Sequence, residues 1–89
     1  MKLAVFAYSH TGCGTARRVL AALPEADAHC YTVARLAEPD FLPLDKQVYA
    51  AAFAGADALI FVGACGIAVR EIAPYVCDKK TDPAVVCLD

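Results

Sequence analysis

Two short glycine-bearing segments hold most of the side chains in this sequence that could do chemistry: Ser9-His10-Thr11-Gly12-Cys13-Gly14 and Gly63-Ala64-Cys65-Gly66. Each follows an apolar run and precedes a helix-like segment. At such a junction the first backbone N–H groups of the helix are unpaired and the helix dipole is positive, so an anion can be held there. The glycines also have a plainer use, since glycine permits the positive φ of a tight turn. Both readings stand for each loop. Ser9 and Thr11 carry hydroxyls that either donate to a bound anion or cap the first helix. His10 has a side chain suited to general-base work near neutrality. However, no residue near it in sequence can orient it, and a solvated loop histidine fits equally well.

Arg70 is the next feature. It stands in an apolar segment, Ile67-Ala68-Val69-Arg70-Glu71-Ile72-Ala73, and is expected early in a third helix. A cation there opposes the helix dipole, so the guanidinium either meets a carboxylate of a ligand or domain interface, or stays in solvent. Glu71 is adjacent and cannot share its helical face. The run Asp78-Lys79-Lys80-Thr81-Asp82 reads as a mixed-sign solvated loop. It precedes a strand, which in parallel topology sets it at the sheet edge opposite the glycine loops.

The five cysteines, Cys13, Cys30, Cys65, Cys77 and Cys87, are odd in number and include no Cys-x-x-Cys pair. That spacing offers neither a zinc ribbon nor a redox motif, and no metal site is expected. Several lie in apolar runs, where a free cysteine behaves as a small hydrophobe, so they read as reduced core residues of a cytoplasmic protein.

The elements that must position these residues alternate between strand and helix, which predicts an α/β domain with a mainly parallel sheet. Lys2 to Tyr8 is the first strand, apolar nearly throughout as a strand covered on both faces should be. Thr15 to Leu23 is a helix with Ala16, Val19, Leu20 and Leu23 on one face, stopped by Pro24. Ala28 to Val33 is a second strand, and Arg35 to Leu44 a proline-containing loop. Lys46 to Ala54 is a second helix, Ala58 to Val62 the clearest strand, Ile67 to Ala73 a third helix, and Ala84 to Leu88 a fourth strand. The result is a small three-layer Rossmann-like or flavodoxin-like domain of about four strands, spanning residues 1–89.

The chain has 89 residues and a formal net charge of −2, which supports one domain and gives no basic footprint for nucleic acid. No apolar stretch approaches the ~18 residues of a membrane span. The last strand ends the sequence without a covering helix, so the domain is expected to be the amino-terminal part of a longer, multidomain protein.

The run from Ala58 through Gly63, Val69-Arg70 and Ala73-Pro74, then Asp78-Lys79, Asp82-Pro83 and Ala84-Val85, resembles the amino-terminal region of the cobalt-precorrin-5A hydrolase family of cobalamin biosynthesis. The resemblance covers roughly a third of the chain at high specificity, while residues 1–57 fit only loosely. It implies a Rossmann-like domain of an enzyme that opens the δ-lactone of cobalt-precorrin-5A with water, releasing acetaldehyde and giving cobalt-precorrin-5B. It further implies that Arg70 and Lys79, which match the family motif, bind the carboxylates of a corrinoid, and that Asp82 is the base or a structural cap ahead of Pro83. The loops with Ser9, Thr11, Gly12, Gly63 and Gly66 suit the same polyanion as anion-holding strand ends. His10, which has no counterpart in the family pattern, is the other candidate base. No cofactor is implied, because the cobalt arrives with the substrate.

Two rival readings remain. Ser9 to Thr15 resembles a flavodoxin phosphate loop, although Gly14 stands where that loop has its last threonine and the chain has no tryptophan. Alternatively, an exposed apolar last strand would pair with a partner or form a homodimer.

Overall fold

The computed structural model describes residues 1–63, 65–76 and 82–88. Five strands form one parallel sheet: β1 (Lys2–Ala7), β2 (Asp27–Thr32), β3 (Leu42–Pro43), β4 (Ala58–Val62) and β5 (Ala84–Leu88), in the spatial order β3-β2-β1-β4-β5. The helices are α1 (His10–Ala22), α2 (Lys46–Gly55) and α3 (Cys65–Ile72), with single 3₁₀ turns at Ala34–Leu36 and Ala73–Tyr75. The α/β class and the parallel sheet are as the sequence predicts.

The alternation along β1 explains the layers. Leu3, Val5 and Ala7 join Ile60, Val62, Cys30 and Phe41 beneath Cys13 and Ala16 of α1. Ala4 and Phe6 point the other way and meet Leu59 and Phe61, Tyr49 and Phe53 of α2, and Ala68 of α3. β1 is therefore buried on both faces, as its unbroken apolar sequence requires. The second cluster is aromatic. The Phe6 ring lies 4.8 Å from that of Phe61 and 5.0 Å from that of Tyr49, separations at which ring pairs add to simple burial.

Three boundaries differ from the sequence reading. Helix α1 begins at His10 rather than Thr15, because the Ser9 side chain accepts a hydrogen bond from the Gly12 amide at 3.0 Å and the Cys13 amide donates to the Ser9 carbonyl at 2.9 Å. The residues expected to be a turn are the first turns of the helix. A fifth strand, β3, sits within the expected 35–44 loop. It is only two residues long and pairs Leu42 and Pro43 with Tyr31 and Thr32, too short to leave a periodic signature. Helix α3 opens at Cys65, ahead of the expected Ile67.

One region of the sheet is left open. Met1 and Leu23 are exposed, as are Val85 and Val86 of the edge strand β5, and a shallow apolar depression runs between Met1, Leu23, Ile60 and Val86. Among the described residues, no helix is long and apolar enough to cross a membrane.

Phe6 is fully buried at the centre of the aromatic cluster. Phe6→Ala should therefore cost about 3–5 kcal/mol, read as a lower denaturant midpoint in equilibrium unfolding. A loss under about 1 kcal/mol would mean that the cluster does not organise the core.

Candidate functional site at the β1–β4 switch point

The strand order reverses between β1 and β4. From β1 the chain winds outward through β2 and β3, then returns past β1 to β4 and continues to β5. Such a reversal opens a crevice beyond the carboxyl ends of the two strands, where ligands of open parallel sheets bind. The register sets both glycine segments there, since Ala7 pairs with Val62 on one side and Thr32 on the other. Ser9 and Gly63 therefore follow neighbouring strand ends.

Two glycines have structural reasons to be glycine. A β-carbon on Gly12 would lie 3.1 Å from Ser9 Oγ and 3.6 Å from the Val62 carbonyl, so its absence lets α1 start against the end of β4. Gly63 has φ of +83°, a conformation that penalises any side chain, and its amide donates to the Leu88 carbonyl. Gly66 is exposed on α3 with open space around it. Thr11 is exposed on the first turn of α1.

Beneath the crevice, the buried Thr32 hydroxyl donates to the Ala7 carbonyl at 2.7 Å and ties β2 to the end of β1. On the α2 side the Tyr8 and Tyr49 hydroxyls lie 2.6 Å apart. Burial is the main reason both phenols titrate above their ordinary range, with their mutual contact and nearby Glu71 adding for Tyr8. They stay neutral and can exchange a hydrogen bond. Cys30 is also buried, which pushes its thiol up to about 11 and makes it a poor nucleophile near neutrality.

On the α1 side lies a charged network that the sequence reading did not find. His10 Nδ1 lies 2.8 Å from Glu38 Oε2. Arg17 Nη2 donates to Glu38 Oε1 at 2.5 Å, while Arg17 Nε and Nη2 donate to the two oxygens of Asp40 at 2.8 and 2.7 Å. The guanidinium sits over the Phe41 ring, 5.2 Å from its centre. Glu38 and Asp40 come from the loop after β2, where Ala37 adopts a left-handed φ of 52°. His10 and Arg17 are seven residues apart, two turns of one helical face. Beginning the helix at Thr15 hides that relation, and it was the signal available.

The remaining expected site residues are dispersed. Arg70 is exposed in the last turn of α3, so its charge complements the helix dipole instead of opposing it, correcting the sequence-based placement. Five residues along from Cys65, it stands about 7.5 Å down the helix axis from the crevice. Asp82 precedes β5, which runs parallel to β4 with Ala84 opposite Ala58. It therefore lies at the amino-terminal edge of the sheet, away from His10, as the topology predicts. Lys79 falls outside the described residues. Among the described residues, no group of three His, Cys, Asp or Glu side chains could hold a metal ion.

The carboxyl of Glu38 is held below its usual range, chiefly by the hydrogen bond to His10 and then by Arg17, and Asp40 is lowered chiefly by Arg17. Carboxylates lowered on folding stabilise fully above their unfolded values, about pH 4, and lose that contribution as pH falls through the lowered folded values. Thermal melts should show stability falling on acidification below about pH 4. The Glu38→Gln/Asp40→Asn double variant should show a flatter acid limb, and an unchanged limb would mean that the network contributes nothing.

Residues 47–89 match the family described as cobalamin synthesis G N-terminal. The whole chain is also similar to the cobalt-precorrin-5A hydrolase of Salmonella typhimurium (strain LT2), at 43% identity over 90 residues and 98% of the chain. It spans about a quarter of that relative's length. No solved structure matches significantly. The family match covers α2, β4, α3 and β5, and the similarity to the Salmonella protein extends across β1 and α1.

Proposed function

We propose that this domain serves as the amino-terminal part of a cobalt-precorrin-5A hydrolase, acting in the cytoplasm with further domains that follow it in the complete enzyme. The observation that carries this reading is the 43% identity running through nearly the whole chain, including both segments that end at the switch point. The reaction adds water across the δ-lactone of a cobalt-corrinoid and then releases acetaldehyde from the opened product. Cobalt belongs to the substrate, so the domain has only an organic, multiply anionic molecule to recognise.

The crevice suits that task. The amino-terminal ends of α1 and α3 direct backbone N–H groups and positive dipole ends toward it, a setting for carboxylates and for the oxyanion of a tetrahedral intermediate. Ser9, Thr11, Gly12, Gly63 and Gly66 form its rim in this reading. Arg70 and Lys79 serve the peripheral carboxylates, with Arg70 reaching them from farther along α3. Asp82 stands at the wrong edge of the sheet to act on the same lactone within this domain.

The test joins this chain to the remainder of the Salmonella relative in place of that protein's own amino-terminal quarter. Cobalt-precorrin-5A is supplied, and acetaldehyde is followed with an NADH-coupled alcohol dehydrogenase. Sustained acetaldehyde release is expected; its absence in a folded protein overturns the reading. Arg70→Ala in the same protein should weaken substrate binding about tenfold or more, the scale of one charge-assisted hydrogen bond. Unchanged binding would remove Arg70 from the site.

A further inference from the structure

We infer that His10, oriented by Glu38, is the catalytic base that activates water for lactone opening, and that Arg17 is the residue that fixes Glu38. This rests on the hydrolase reading above and adds to it the residues that move the proton.

Position comes first. His10 is the opening residue of α1, one residue beyond the Ser9 cap, at the carboxyl end of β1 where the strand order reverses. Its side chain is 68% exposed, so a ligand can reach it. Its only hydrogen bond among the described residues is the 2.8 Å contact from Nδ1 to Glu38 Oε2.

That contact decides the tautomer. An ionised carboxylate can only accept, so Nδ1 carries the hydrogen and Nε2 keeps its lone pair. Glu38 is in turn held at both oxygens, by His10 at one and Arg17 at the other. Arg17 is fixed by its two-point contact with Asp40 and by stacking on Phe41. Glu38 itself is only 13% exposed. Surface ion pairs return little stability for the side-chain entropy they cost, so a chain of three such contacts ending on one exposed imidazole is better explained by the need to aim it. The left-handed Ala37 supports this. A non-glycine residue there stores backbone strain, and it lies directly before the residue that orients His10.

The step balances without a cofactor. His10 Nε2 takes a proton from water as the water oxygen bonds to the lactone carbonyl carbon and the carbonyl π pair moves to oxygen. The tetrahedral oxyanion collapses and breaks the acyl C–O bond. The departing alkoxide takes the proton back from the imidazolium, so water has been added across the ester and His10 is restored. Through the step the imidazolium rests against Glu38, as in other carboxylate-oriented histidine bases.

The test uses the joined protein described above. His10→Ala should lower kcat about 10²–10⁴-fold with KM changed less than about twofold, and added imidazole should restore part of the rate. Glu38→Gln should lower kcat at least about tenfold, again with little change in KM. His10→Gln, which keeps a partner for Glu38, controls for folding and should be as slow as His10→Ala. A kcat within about threefold of the parent for either His10 variant, a loss carried by KM, or no imidazole rescue overturns the inference and leaves the hydrolase reading intact. If the parent protein itself releases no acetaldehyde, both fall.

Discussion

Burying β1 on both faces is the constraint from which the other features follow. A strand whose residues are apolar on both sides needs helices above and below, and connections of one hand can supply them only if the chain winds away from β1 in both directions. Hence α1 lies on one face, with α2 and α3 on the other. The reversal this produces opens the crevice between β1 and β4. The same strand that anchors the core thus determines where a ligand can enter.

The two faces of the sheet differ chemically beside these strand ends. Toward α2 stand two neutral phenols, Tyr8 and Tyr49, hydrogen-bonded to each other over an aromatic floor. Toward α1 stand His10, Glu38, Arg17 and Asp40, a cluster with one more negative than positive charge while the imidazole is neutral.

The sequence made the architecture legible because strand periodicity and uninterrupted apolar runs are strong, local signals. Lys2 to Ala7 and Ala58 to Val62 needed nothing beyond their own composition. The site was legible in part. The glycine segments mark strand-to-helix junctions by residue type alone, and parallel topology places them together. Glu38 was hidden because its relation to His10 spans 28 residues and depends on a non-glycine residue in a left-handed conformation, which no local rule anticipates. Arg70 was misplaced because the start of α3 was read two residues late, moving the arginine from the favourable end of the helix dipole to the unfavourable one.

Ser9 and Gly12 show how closely foldedness and site are joined. The Ser9 oxygen that satisfies the Gly12 amide also fills the space a β-carbon at position 12 would need. A side chain at 12 must displace the Ser9 oxygen by a few tenths of an ångström, which disturbs the cap of the turn that carries His10. The two positions therefore share one volume and one hydrogen bond. A change at either position acts directly on the other, so the opening of α1 cannot be altered without touching the residue that starts it.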